Sequence, residues 1–202
     1  MCPYCALGEA QLRTALSSFE HAELVEIRFH AFELDPRAQA SYDQSIAELV
    51  ARKYGSEAGA VQRHQRSMER DAAELGVTFD FGSVRHCNTF DAHRLIALAN
   101  DQTLGNQMVD RLFAAYFAEG QLLSDHATLV RLASEVGVTN AEATLASDRF
   151  SAEVRADEER ANELGISGVP AMLIDSKFMI VGAQGPDAML DVLRRAWARR
   201  SA

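Results

Sequence analysis

Apolar residues recur every three or four positions near the start of the chain, which places them on one side of a helix. These positions are Leu7, Leu12, Ala15, Leu16 and Phe19. The next stretch, residues 23–32, alternates apolar and polar side chains in the period-two manner of a half-buried strand. Its inward set would be Val25, Ile27, Phe29 and Ala31. Pro36 ends this segment, since proline restricts the residue before it and cannot donate to a ladder. The chain therefore opens with a predicted helix and a predicted strand.

The long middle of the chain shows a helical pattern, with one short extended piece predicted over residues 77–81. Glycines follow successive helical runs, where a left-handed residue is favoured: Gly55, Gly76, Gly120, Gly137 and Gly165. Helix starts are marked by Asp125 and by Thr139, which we predict to form a capping box with Glu142. The pattern predicts an all-helical subdomain over residues 37–159.

Strand character returns near the end. Two apolar runs, 169–175 and 178–182, are separated by two polar residues and predict a hairpin. Gly185 and Pro186 then open a last predicted helix. The two ends of the chain together supply helix, strand, helix, strand, strand and helix. The helical block would therefore interrupt one α/β unit.

Two cysteines, Cys2 and Cys5, head the first predicted helix with two residues between them. Pro3 suits the first helical turn, because an N–H there has no intrahelical partner. Cys2 is then at the helix N-terminus, where unpaired N–H groups and the helix dipole stabilise a thiolate. A thiolate attacks disulfides, and Cys5 could resolve the mixed disulfide. This layout predicts a thioredoxin-like α/β fold, formed by residues 1–36 and 160–202 and interrupted by the helical insertion.

Composition narrows the function classes. A net charge of −9 over 202 residues argues against a nucleic-acid surface. Three cysteines do not make the disulfide framework of a small secreted protein, and no second pair completes a structural zinc site, so we expect no metal. No apolar run is long enough to span a membrane, and no leader is visible. We therefore expect a cytoplasmic protein without a membrane partner.

Several blocks spread over nearly the whole chain carry a family resemblance. They are the motif at 1–5, Phe-Glu-Leu-Asp-Pro at 32–36, the segments 88–95 and 115–120, and the stretches 165–170 and 181–184. Together they resemble the DsbA-like, FrnE-type thiol oxidoreductases, which are similar to thioredoxin with an all-helical insertion. The resemblance implies catalytic roles for Cys2 and Cys5. It also implies a cis Val169–Pro170 bond facing them, with Pro3, Tyr4, Val169 and Pro170 contacting the substrate.

One departure from that family concerns the start of the chain. Such proteins carry a central β-strand immediately before the motif, whereas this sequence begins one residue before Cys2. Losing a central strand would expose ladder groups and core on both sides. We therefore expect residues upstream of Met1, which leaves a periplasmic location open. The alternative is that another segment or a partner chain fills the position by strand addition.

A second comparison concerns the reaction. Kappa-class glutathione transferases and 2-hydroxychromene-2-carboxylate isomerases share this fold, use glutathione and carry serine where Cys2 stands. The two cysteines favour a protein disulfide oxidoreductase acting on protein or peptide thiols and disulfides. We expect no cofactor besides the cysteine pair, with glutathione open as a co-substrate and a homodimer open as the oligomeric state. A glutathione-dependent isomerase or transferase and a non-catalytic scaffold are the alternatives.

The remaining candidate residues receive structural predictions. Cys87 is predicted to be a small buried hydrophobe rather than a catalytic thiol. His93 is given a structural or groove-lining role, because exchange needs no dedicated base once Cys2 has a low pKa. Six aromatic residues are predicted to be core first, with a peptide-binding surface as the alternative for some: Phe32, Phe79, Phe81, Phe113, Tyr116 and Phe117.

Overall fold

The structure, a computed structural model, describes residues 1–200. Its elements in chain order are α1 (Pro3–Ser17), a 3₁₀ turn (Ala22–Leu24), α2 (Ile46–Tyr54), α3 (Ala58–Glu74), α4 (Phe90–Asp101), α5 (Gly105–Phe117), α6 (His126–Glu135), α7 (Ala141–Leu145), α8 (Ser151–Glu163), β1 (Ala171–Ile174), β2 (Phe178–Val181) and α9 (Pro186–Arg200). The predicted helical block and the final hairpin and helix are present. The predicted boundary between residues 159 and 160 falls inside α8.

Helix α1 belongs to two hydrophobic cores at once. The smaller core joins the second half of α1, through Ala15, to the hairpin at Ile180 and to α9 at Met189. The larger core joins the first half of α1, through Ala6 and Leu7, to the helices of the middle block. Because the two cores meet along one helix, the cysteine motif at its start lies where the two parts of the chain join.

The hairpin forms where the sequence predicts it, although its turn contains no glycine. β1 and β2 are antiparallel, and Ile174 is paired with Phe178. The Lys177 N–H donates to the Ile174 carbonyl at 3.0 Å across the turn. Asp175 and Ser176 both adopt left-handed backbone angles, with φ of 49° and 56°. Two successive positive φ values match the twist of the flanking strands, as in a type I′ turn.

The predicted strand over residues 23–32 is wrong. A 3₁₀ turn occupies its start, and the residues that follow belong to no strand. The period-two pattern itself is correct, since the odd-numbered positions from Val25 to Glu33 turn inward and Glu26, Arg28 and His30 are exposed. The segment binds helix α8 instead of a strand: the Ala31 N–H donates to Asp157 at 2.8 Å.

The predicted helix starts have mixed outcomes. Asp125 is the N-cap of α6, and its carboxylate accepts the Thr128 N–H at 2.8 Å, as predicted. The capping box at Thr139 and Glu142 is wrong, because α7 begins after Asn140, which is left-handed and makes no side-chain cap. The Thr139 N–H donates instead to the side chain of Gln102.

The aromatic predictions are confirmed for four of the six residues: Phe79, Phe81, Tyr116 and Phe117 are buried in the larger core. Phe32 and Phe113 are only partly buried. Cys87 is 2% exposed in the same core, as predicted for a small hydrophobe. In the part of the chain that the structure describes, we find no helix of the length and apolar character needed to cross a membrane.

Candidate active site

Cys2 lies at the start of α1, as the sequence predicts. It is the N-cap residue with an extended backbone, and Pro3 occupies the first helical turn. Cys5 follows one turn later, so both sulfurs lie at the same end of the helix. Both cysteines are free and only partly exposed. The arrangement leaves Cys2 as the sulfur at the helix end.

Hydrogen bonds polarise the two thiols in opposite directions. The Cys5 thiol donates to Cys2 Sγ, and the N–H groups of Cys5 and Tyr4 donate to the same sulfur. These bonds outweigh the cost of burial and lower the pKa of Cys2 to about 6. The pKa of Cys5 is raised, because its thiol proton is hydrogen-bonded to the Cys2 thiolate and because the group is buried. Cys2 is therefore the more readily ionised of the two thiols, and Cys5 is the one that stays protonated.

This asymmetry predicts the pH dependence of alkylation. Since the pKa of Cys2 lies near 6, its thiolate is present above that pH and is lost as the pH falls through it. We expect iodoacetamide to label Cys2 with half-maximal rate near pH 6, before it labels Cys5 or Cys87. Peptide mass spectrometry over a pH series would measure this. A midpoint at the value of an ordinary thiol would contradict the hydrogen-bonded geometry.

The chain segment before β1 lies against Cys2. The Val169–Pro170 peptide bond is cis, and Cys2 Sγ lies 3.7 Å from the Val169 carbonyl oxygen. Gly8 permits the close approach of this segment to α1: a Cβ at Gly8 would lie 3.0 Å from Pro170 Cγ. The structure thus brings Cys2, Val169 and Pro170 together.

Tyr4, the other residue between the cysteines, contacts the helical block. Its hydroxyl is hydrogen-bonded to His64 Nε2 on α3 at 2.9 Å, and the side chain remains 43% exposed. Pattern analysis did not identify His64, which belongs to an ordinary helical run. Nothing in the sequence relates positions separated by 60 residues.

Two neighbours of the motif are held neutral by burial. Burial raises the pKa of the Cys87 thiol. Burial also lowers the pKa of His93 to about 4, although its ring is hydrogen-bonded to the Phe32 backbone. A histidine with this pKa is neutral at pH 7. The structural or groove-lining role of His93 stays a prediction.

Glu33 is a buried acidic residue that sequence reasoning missed. One carboxylate oxygen pairs with Arg155 at 2.6 Å, and the other has no hydrogen-bond partner in the described residues. Burial raises its pKa, while Arg155 opposes the shift. The available signal was its inward position in the alternating segment, where an apolar side chain would be expected.

A cavity of about 330 Å³ lies further along α1, against α5. Its polar wall contains Glu9, Arg13 and Asp110, and its lining includes neither cysteine. Burial and the nearby Asp110 raise the pKa of Glu9 to about 7. Within residues 1–200, we find no group of three or more His, Cys, Asp or Glu side chains arranged to hold a metal ion.

Comparison with known proteins places these features in a family. The model of the DSBA-like thioredoxin domain matches residues 1–194. The uncharacterized protein YwbO of Bacillus subtilis (strain 168) is 28% identical over 191 residues, covering 93% of this chain and 88% of that protein.

Solved structures agree with this match. A probable DsbA oxidoreductase, SCO1869 from Streptomyces coelicolor, has 32% identity and a TM-score of 0.92, with 98% of this chain and 86% of that chain covered. The cytosolic disulfide reductase DsbM from Pseudomonas aeruginosa has 20% identity and a TM-score of 0.65, with coverages of 100% and 96%. A 2-hydroxychromene-2-carboxylate isomerase has 15% identity and a TM-score of 0.66, with coverages of 99% and 91%. The last two likenesses concern the fold alone.

Proposed function

The chain belongs to the family of DSBA-like thioredoxin domains, and we propose that it is a thiol-disulfide oxidoreductase whose reacting groups are Cys2 and Cys5. The observation that carries this proposal is the position of Cys2 at the N-terminus of α1, where hydrogen bonds lower the pKa of its thiol. One thiol and two main-chain N–H groups donate to that sulfur at the N-terminus of α1. Such donors stabilise a thiolate, and the thiolate is the nucleophile of disulfide exchange.

The proposed reaction transfers two electrons between the cysteine pair and a substrate disulfide. Cys2 thiolate attacks one substrate sulfur, forms a mixed disulfide and expels the other sulfur as a thiolate, which takes up a proton. Cys5 then loses its proton and attacks Cys2 Sγ, which releases the second substrate thiolate. The substrate disulfide is reduced to a dithiol, and the pair is oxidised to a Cys2–Cys5 disulfide; the reverse sequence oxidises a substrate dithiol.

Backbone groups beside Cys2 support a protein or peptide as the substrate. While Cys2 is protonated, its thiol donates to the Val169 carbonyl. Once Cys2 is ionised or joined in a disulfide, no thiol proton is left for this carbonyl. It can then accept an N–H from an extended peptide segment next to the reacting sulfur. We propose that Val169 and Pro170 orient the substrate, and that Pro3 and Tyr4 border it on the other side.

The direction of net electron flow follows from the reduction potential of the pair relative to its compartment. Donors that stabilise the Cys2 thiolate stabilise the reduced form and so make the pair more oxidising than a pair of unperturbed thiols. We therefore propose a pair that accepts electrons readily. Glutathione is a proposed co-substrate that would return the cysteine pair to the oxidation state in which it starts each reaction. A cytoplasmic location remains a prediction.

Trapping the mixed disulfide tests the proposed function. A Cys5→Ala variant, incubated with an oxidised peptide containing one disulfide, should accumulate a covalent adduct at Cys2. Without Cys5, the adduct is resolved only by external thiols. Intact mass would detect the adduct, and peptide mapping would locate it.

Two further variants make this test decisive. Cys2→Ser in the Cys5→Ala background should prevent the adduct, whereas Cys87→Ala in that background should leave it. Absence of any adduct, under conditions in which a small free thiol reacts, would overturn the oxidoreductase proposal. Tight glutathione binding without an adduct would then favour the glutathione-dependent isomerase or transferase.

A further inference from the structure

A side-chain hydrogen bond links the cysteine motif to the helical block. The Tyr4 hydroxyl and His64 Nε2 are 2.9 Å apart, and the two ring centroids are separated by 6.4 Å. Tyr4 lies in the first turn of α1, whereas His64 lies in the first half of α3. The contact therefore joins one of the two residues between the cysteines to a separate helix.

The position of His64 is fixed by the helix that carries it. Met68 and Ala72 follow His64 by one and two turns, and both are buried in the core that contains Ala6 and Leu7 of α1. The next residue after Met68, Glu69, accepts the Phe81 N–H at 3.1 Å. α3 is thus anchored by packing and by a side-chain hydrogen bond, and the exposed His64 ring projects from a supported helix.

The backbone of Tyr4 contacts the reacting sulfur. Its N–H is one of the two main-chain donors to Cys2 Sγ. That bond forms fully only while Cys2 carries a charge, because an ionised acceptor makes the stronger hydrogen bond. The hydrogen bond from the Tyr4 side chain to His64 restrains the first turn of α1, and so keeps this N–H directed at the sulfur.

We propose that His64 is a positioning residue for the exchange reaction, which holds Tyr4 so that the reduced thiolate form is favoured over the Cys2–Cys5 disulfide. This inference rests on the proposed function and extends it to a residue outside the motif. The competing structural interpretation is that the hydrogen bond only adds to the stability of the fold. That interpretation predicts no change in the ionisation of Cys2 when the bond is removed.

Two measurements separate these interpretations. The first is the pH profile of Cys2 alkylation, which needs no disulfide substrate. The second is the equilibrium constant of the pair with reduced and oxidised glutathione. We expect His64→Ala and Tyr4→Phe each to shift that equilibrium toward the disulfide by about threefold, in line with the loss of one modest hydrogen bond. Both should move the alkylation midpoint to higher pH.

The double variant, which carries both His64→Ala and Tyr4→Phe, gives a stricter test of the proposed role of His64. The double variant should shift no further than either single one, because both remove the same bond. His64→Gln, which keeps a hydrogen-bonding group, should recover part of the shift. Gln62→Ala, at an exposed position on the same helix, is the matched control and should match the wild type.

The outcomes are distinct for the two proposals. An unchanged alkylation profile and equilibrium in His64→Ala, or additive shifts in the double variant, would overturn the role of His64 while leaving exchange intact. A shifted alkylation profile in a protein that traps no mixed disulfide would instead remove the proposed function and retain the effect of His64 on the ionisation of Cys2.

Discussion

Replacing Cys2 with serine should reduce thiol-disulfide exchange by at least about a thousandfold. A serine hydroxyl is not ionised near neutral pH, so the donors that stabilise the Cys2 thiolate would have no anion to bind. The side chains have nearly the same size, and Cys2 lies at a helix start rather than in a core. We therefore expect the variant to fold normally. The rate at which free thiols appear during reduction of a peptide disulfide measures the loss of exchange activity.

The third cysteine supplies the control for this prediction. Cys87 is buried in the larger core, away from the surface. Cys87→Ala removes one sulfur from a packed site and should cost stability rather than activity. We expect its exchange rate to stay near that of the wild type. The prediction for Cys2 fails if Cys2→Ser keeps the wild-type rate, or if Cys87→Ala loses as much activity as Cys2→Ser.

The fold class could be predicted because its signals are local. The helix after the cysteines, the helical block and the hairpin each follow from spacing and turn residues, and the family match confirms the thioredoxin-like fold. The segment after α1 shows where local reasoning stops. Alternation gave the correct inward positions from Val25 to Glu33. A ladder, however, also needs a neighbouring strand, and here the N–H groups of Ala31 and Glu33 donate to side chains of α8.

The candidate site also has features that could be predicted from the sequence and features that could not. Cys2 and Pro3 could be placed at a helix start from four consecutive residues. The opposite pKa shifts of Cys2 and Cys5 depend on their mutual hydrogen bond, which sequence reasoning anticipated only as a low pKa at the helix end. His64 could not be found, because its contact with Tyr4 arises only when α1 and α3 join the same core. Contacts between distant segments are set by tertiary packing.

Arg94 is a second residue whose partners could not be predicted from the sequence. Its replacement is expected to change the stability of the fold strongly. It lies on the buried face of α4 and is 4% exposed. Its guanidinium donates to the carbonyls of Thr144, Ser147 and Arg149 and to the Asp91 carboxylate. These bonds hold the end of α7 and the following turn against α4. Sequence reasoning included Arg94 in a family block but could not assign these partners.

Replacing Arg94 with methionine should lower the free energy of unfolding by about 3 kcal/mol. Methionine fills much of the same volume but removes the guanidinium donor from three carbonyls, of which Thr144 keeps its bonds from Ser147, and leaves Asp91 without its guanidinium partner. Urea denaturation followed by circular dichroism measures the change.

Arg131→Met is the matched control, since Arg131 is exposed on α6 and pairs with Glu135 one turn later. An exposed pair of this kind contributes at most about 1 kcal/mol. Equal losses in the two variants would contradict the role assigned to the buried guanidinium. A large loss in Arg94→Met alone would show that this one side chain, through its backbone partners, fastens α7 and its following turn to α4.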